Sequence, residues 1–101
     1  MSQAHDLSEL ALRGRPRLAP MAQLRRDRLS GAMVLLWPEH GLVLNRTAAE
    51  LLELCTGALE VDAVVATLTE RFGRADPAAV RVDILSFLRA LDQRRLIWWE
   101  R

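Results

Sequence analysis

The sequence is poor in the residues that build catalytic, metal and disulfide sites. It has one cysteine, two histidines, no tyrosine and no lysine. With Cys55 as its single cysteine, the chain cannot form an internal disulfide, as is usual for proteins of a reducing compartment. Cys55 lies on an apolar helical stripe, which favours packing in the core. We expect His5 and His40 to lie in solvated segments, and neither has a neighbour at metal-ligand spacing. The glycines fall singly, so no glycine-rich phosphate-binding loop is present. We therefore expect no catalytic role, no metal and no cofactor.

The chain also lacks a long apolar run and an excess of one charge. No stretch approaches the roughly 20 apolar residues of a transmembrane helix, and residues 1–14 do not resemble a signal peptide. Fourteen basic and thirteen acidic residues leave a net charge of +1, so no general field attracts nucleic acid or anionic lipid. These absences predict a cytoplasmic protein that binds neither nucleic acid nor membrane. Its 101 residues, half of them hydrophobic, suffice for one domain with its own core.

What is present begins with a strand-like region. Between residues 21 and 45, β-branched and large apolar residues form short runs that are separated by turn-forming segments at 27–31 and 38–41. This pattern predicts a three-stranded antiparallel meander. The expected strands are 21–26, 32–37 and 42–44. Residues 1–15, which are cut off by Gly14 and Pro16, are expected to form a mobile N-terminal arm in front of a domain at 16–101.

A helical period follows. Thr47 and Glu50 have the spacing of a capping box, so we expect the first helix to begin there. Gly73 is a stop for the second helix, and Asp76 followed by Pro77 predicts the start of a third, which continues to about residue 94. The apolar segment 96–99 is expected to pair as a final strand or to lie against the core. Strands followed by helices indicate an α+β domain in which one sheet packs on three helices.

The third helix has apolar residues on two sides. On a wheel of about 100° per residue, one apolar group falls within a third of the circumference and a second group lies to one side of it. Both groups can belong to the core, or one can line a groove for a partner. The groove needs a second wall, which the strand at 42–44 provides if it is a sheet edge. The first group is Val80, Ile84, Phe87, Leu88 and Leu91, and the second is Ala78, Val82 and Leu85.

Several segments together resemble a known family. They are Pro16-Arg17-Leu18, Val34-Leu35-Leu36-x-Pro38-Glu39, Leu44-Asn45-x-Thr47-Ala48-Ala49-x-Leu51-Leu52 and Cys55-x-Gly57, with a matching third-helix spacing. Over about residues 16–97 the chain resembles the coenzyme PQQ (pyrroloquinoline quinone) biosynthesis protein D family, PqqD. The resemblance implies a small winged-helix-like fold, with a three-stranded antiparallel sheet followed by a three-helix bundle.

The resemblance also implies a function. Family members are recognition elements for ribosomally made peptides: they bind the precursor peptide PqqA, act as its chaperone and present it to the radical S-adenosylmethionine enzyme PqqE, without a cofactor of their own. The leader peptide is expected to add to the third strand and pack against the third helix. The alternatives are a winged-helix DNA-binding protein and a purely structural dimerisation module, and a homodimer is compatible with peptide binding. The expected peptide-binding residues are Leu42, Val43, Leu44, Arg81, Val82, Leu85 and Arg89.

Overall fold

The computed structural model describes residues 14–73 and 76–100, and the first thirteen residues of the predicted arm lie outside this part. The described residues form five strands and three helices. The predicted α+β class, a three-stranded antiparallel sheet followed by three helices, is confirmed. In chain order the elements are β1 (Arg15–Leu18), β2 (Gln23–Arg26), β3 (Met33–Trp37), β4 (His40–Leu44), α1 (Arg46–Leu54), α2 (Val61–Phe72), α3 (Pro77–Gln93) and β5 (Ile97–Glu100).

The main sheet has the order β2-β3-β4 and contains the three predicted strands. Its last strand begins at His40, two residues earlier than the sequence predicted at residue 42. The reason is the tightness of the turn: only Pro38 and Glu39 separate the paired residues Trp37 and His40. Glu39 has φ 63°, and proline followed by a residue with positive φ is the pattern of a type II turn. Gly41 therefore belongs to the strand and not to the turn.

A second sheet joins the two ends of the described chain. β1 pairs antiparallel with β5, from Arg15 opposite Glu100 to Leu18 opposite Ile97. The tail therefore forms a strand, and Arg15, which the sequence placed in the arm, is the first residue of β1. Gly57 lies against this sheet with φ 86°, and a Cβ there would stand 3.1 Å from Glu100 Cγ. Its N–H donates to the Pro16 carbonyl at 2.9 Å, so the close approach fits only glycine.

One predicted helix start is wrong. Asn45 and not Thr47 caps α1: its Oδ1 accepts a hydrogen bond from the Ala48 N–H at 2.8 Å. Glu50 does not complete a capping box, because its carboxylate accepts from Arg46 at 2.9 Å and from Arg71 at 3.1 Å. An asparagine is as good an N-cap as threonine, and local spacing alone does not choose between them.

The predicted start of the third helix and the predicted end of the second are confirmed, whereas α1 ends at Leu54, before the predicted stop at Gly57. Asp76 caps α3 by accepting from the Ala78 N–H at 3.1 Å, and Pro77 is the first helical residue. Gly73 ends α2 with φ 69°.

The core lies between the main sheet and the helices. Its contribution from α3 consists of Ile84, Leu88 and Leu91, which are 0–2% exposed. These belong to the first apolar group of the wheel, so this side of α3 is the packed side. Leu35 of β3 and Leu68 of α2 are both fully buried in the same cluster. Within residues 14–73 and 76–100, no helix has the length and apolar character needed to cross a membrane.

Candidate functional site

β4 lies at the edge of the main sheet formed by the described residues. In the described part of the chain β3 is its only neighbouring strand. Trp37 and His40 close the hairpin and pair with each other, and hydrogen-bonded pairs alternate with non-bonded pairs along an antiparallel ladder. The closing pair of a tight hairpin is bonded, so the backbone N–H and C=O groups of Gly41 and Val43 point to the free edge. This edge can accept one further strand.

The side chains of β4 alternate between the two faces of the sheet. Leu42 is opposite the buried Leu35 and faces the helices, where it lines a cavity while remaining 40% exposed. Val43 is opposite Val34, on the other face, and is 70% exposed. Leu44 is 7% exposed and belongs to the core. Of these three predicted site residues, Leu42 therefore offers a side chain to the groove, and Val43 offers its backbone.

Two adjoining cavities that share Phe87 form a groove along α3. One lies between β4 and α3, and the other continues it between the start of α1 and α3. One has a volume of about 350 Å³ and the other about 260 Å³. Together they form what we call the β4–α3 groove. The first cavity is lined by Trp37, His40, Gly41, Leu42, Phe87, Ala90, Leu91 and Arg94. The second is lined by Asn45, Thr47, Ala48, Leu51, Asp83, Ile84 and Phe87.

The lining suits binding of an extended segment. Its centre is apolar, and the α3 wall is a stripe of residues spaced by four, three and four positions: Asp83, Phe87, Ala90 and Arg94. His40, predicted as a solvated turn residue, is exposed, but it is the first residue of β4 and stacks on Trp37 with ring centroids 5.4 Å apart. The groove thus combines a backbone ladder on one wall with side-chain pockets on the other, which is the arrangement used in strand addition.

Cys55 is a free and buried cysteine at the C-terminal end of α1. Burial raises the pKa of the Cys55 thiol to about 12, so the thiol is a neutral core group and not a nucleophile. No group of three or more His, Cys, Asp or Glu side chains within residues 14–73 and 76–100 is arranged to hold a metal ion.

The structure does not bring the predicted α3 residues to β4. At about 100° per residue, Val82, Leu85 and Arg89 lie roughly 140–160° around the helix from Phe87. Val82 is 61% exposed, whereas Leu85 is partly buried and packs against the core. Arg81 forms an ion pair with Asp62 of α2. It also lines a separate cavity of about 760 Å³ between α2 and the start of α3.

Sequence reasoning missed the helix residues that do line the groove. The wheel placed Phe87 with the core group, and it left the charged Asp83 and Arg94 without a role. The signal that identifies them is their shared side of the helix, because positions separated by three, four, seven and eleven residues lie close together on one face. Periodicity shows that such a stripe exists, but only the position of β4 shows which stripe has a second wall.

Comparisons with known proteins agree with this architecture. The family model "Coenzyme PQQ synthesis protein D (PqqD)" matches residues 32–97. The chain is 38% identical over 77 residues to a "PqqA binding protein" of Rhodopseudomonas palustris (strain HaA2), covering 76% of this chain and 74% of the relative. It is 33% identical over 91 residues to a "PqqA binding protein" of Azotobacter vinelandii, covering 90% and 97% respectively.

A solved structure is also similar. The solution NMR structure of the PqqD truncation of Methylobacterium extorquens PqqCD superposes with a TM-score of 0.69 at 35% identity, covering 82% of this chain and 87% of that one. That protein is described as a functional and stand-alone recognition element for ribosomally synthesized and post-translationally modified peptides. The family match, the two relatives and this fold together establish that the chain belongs to the coenzyme PQQ synthesis protein D family.

Proposed function

We propose that this chain is a peptide-recognition element of PQQ biosynthesis, which binds the precursor peptide PqqA and presents it to the radical S-adenosylmethionine enzyme PqqE. The observation that carries the proposal is the free edge of β4 beside the apolar wall of α3. The names of the relatives, which are PqqA binding proteins, support PqqA as the ligand. In this proposal the chain acts in the cytoplasm as a chaperone and catalyses no reaction itself.

Strand addition explains how such a small surface can select a peptide. The backbone groups of Gly41 and Val43 fix the register of the added strand, and each hydrogen bond contributes about 0.5–1.5 kcal/mol net. Alternate peptide side chains then point toward α3 and contact Leu42 and Phe87. The ladder provides affinity for any extended segment, and these side-chain contacts provide the preference for one sequence.

DNA binding is less well supported than peptide binding. A winged-helix protein that reads DNA presents basic side chains on its third helix. In this chain Arg81 is paired with Asp62, and Asp83 lies on the same helix beside the groove. The exposed charge of α3 is therefore mixed.

Chemical-shift mapping tests the proposal. On addition of PqqA to the ¹⁵N-labelled protein, we expect the largest amide shifts at residues 40–44 and 83–94. Shifts confined to Trp98 and Trp99, with these two segments unchanged, would place the site elsewhere. Duplex DNA at two salt concentrations is the control, because binding to DNA weakens steeply as salt rises. Size-exclusion chromatography of the same samples tests whether a homodimer forms alongside the peptide complex.

A further inference from the structure

The β4–α3 groove carries opposite charges at its two ends. Asp83 lines the cavity beside Asn45, where β4 runs into α1, and Arg94 lines the cavity beside His40, where β4 begins. Arg94 is the C-cap residue of α3 and follows Asp83 by eleven positions. This separation is about three helical turns and about 16.5 Å along the axis. They therefore lie on the same side of the helix, with the apolar Phe87 and Ala90 between them.

Both charges are available to a ligand. Within the described residues, neither Asp83 nor Arg94 takes part in the ion pairs of the surface, which join Arg17 to Glu100, Arg46 and Arg71 to Glu50, and Arg81 to Asp62.

The neighbouring charges do not cancel this polarity. Arg46, near the acidic end, is held by Glu50 and lies 5.2 Å from the centre of the Phe72 ring. Glu39 precedes His40 in the turn but does not line either cavity. The groove thus has an acidic end, an apolar centre and a basic end.

We propose that this charge polarity selects the direction and register of the peptide, an inference that rests on the peptide-binding function proposed above. The bound segment places a basic side chain near Asp83, an apolar side chain against Phe87 and an acidic side chain near Arg94. Because β4 runs from the Arg94 end to the Asp83 end, a peptide that pairs antiparallel to it runs the opposite way. Antiparallel pairing is slightly the more stable arrangement, so the basic residue comes first and the acidic residue follows it.

The length of the groove sets the spacing of the two peptide charges. A strand rises about 3.4 Å per residue, so about 16.5 Å corresponds to about five residues. Side chains that face α3 recur every second residue, and the spacing must therefore be even. The recognised segment has its basic and acidic residues four or six positions apart, with apolar residues that face the same way between them. This defines the ligand as a dipolar, amphipathic strand.

Double-mutant cycles between protein and peptide test this inference. Each Asp and Glu of the PqqA peptide is changed in turn to Asn or Gln, and each Lys and Arg to Gln, and the dissociation constant is measured with the wild type, Arg94→Gln and Asp83→Asn. We expect one acidic peptide residue to couple to Arg94 and one basic residue to couple to Asp83. The coupling between the two residues of each pair should correspond to a roughly three- to fivefold change in the dissociation constant, which is the upper range for exposed ion pairs. The basic residue should precede the acidic one by four or six positions.

Matched controls separate the groove charges from the general charge of the protein. Arg89→Gln removes a guanidinium from the side of α3 that faces away from β4, and Glu53→Gln removes an exposed carboxylate from α1. Neither should couple to any peptide residue. Equal coupling in these controls, no coupling to Arg94 or Asp83, or an acidic residue that precedes the basic one would overturn the inference while peptide binding itself persists. If PqqA does not bind the wild-type protein at all, the proposed function fails instead.

Discussion

The substitution Val43→Pro tests whether the backbone edge of β4 holds the peptide. Proline has no N–H, and the N–H of residue 43 points to the free edge, so the change removes a hydrogen bond available to an added strand without removing one from the β3–β4 ladder. The side chain of Val43 is on the sheet face turned away from α3 and is 70% exposed. Proline is tolerated at such positions of edge strands. The fold should therefore survive the change.

The expected loss of binding follows from the ladder. One lost hydrogen bond of about 0.5–1.5 kcal/mol raises the dissociation constant by about two- to thirteenfold. The pyrrolidine ring also projects into the space between strands, which are only about 4.8 Å apart. We expect a loss of at least about tenfold. Val43→Thr keeps the N–H and the branched shape, so it should bind within about twofold of the wild type.

Isothermal titration with PqqA measures both variants, and thermal unfolding confirms that each is folded. A folded Val43→Pro variant that binds as tightly as Val43→Thr would refute strand addition at β4. N-methylation of successive peptide amides gives an independent measurement that does not depend on the folding of a variant. The affinity should fall at every second methylated amide, because alternate N–H groups of an added strand point toward β4. Equal losses at all positions would contradict a ladder.

Two further predictions concern α3 and the core. Phe87→Ala should weaken PqqA binding by about tenfold or more, because Phe87 lines both cavities of the groove. The control Val82→Ala changes an exposed residue and should leave the affinity within about twofold. If the same titration shows a larger loss for Val82→Ala than for Phe87→Ala, the binding face is on the other side of α3. Burial raises the pKa of Cys55 from 9.0 to about 12. Between these two pH values the thiol has lost its proton in the unfolded chain but keeps it in the folded protein. The free energy of unfolding should therefore fall as pH rises from 9.0 to about 12, by up to about 1.4 kcal/mol per pH unit. The chain has no lysine and no tyrosine, the other side chains that titrate in this pH range. Cys55→Ala should therefore abolish the dependence of the unfolding free energy on pH, which urea unfolding measures. A dependence that persists in the variant would show that another group titrates.

Several local features were readable from the sequence because each depends on neighbouring residues. The Asp76-Pro77 pair predicted the start of α3 and Gly73 predicted the end of α2, since caps act through hydrogen bonds and dihedral angles within one turn. The same locality explains the error at α1. Asn45 and Thr47 both fit the N-cap role, and the choice depended on where Glu50 found partners. One of these, Arg71, is 21 residues away on α2.

The position of the groove required the tertiary structure. The sequence predicted that a peptide would bind between the third strand of the sheet and the third helix, and that the helix had two apolar sides. It could not show which side met the strand, because periodicity is a property of one helix and a groove is a relation between two elements. The structure places Phe87, between Asp83 and Arg94, beside β4, and it places Val82 and Leu85 on the far side.

The pairing of β1 with β5 shows the same division between local and distant information. The sequence by itself determined the order of the elements after residue 21, the places of the two turns of the main sheet and the apolar face of each helix, because these follow from the chemistry of adjacent residues. Only the tertiary structure decided that Arg15 to Leu18 form a strand. The partner of that strand lies about eighty residues later in the chain, and no local pattern specifies a contact whose two halves are so far apart in sequence.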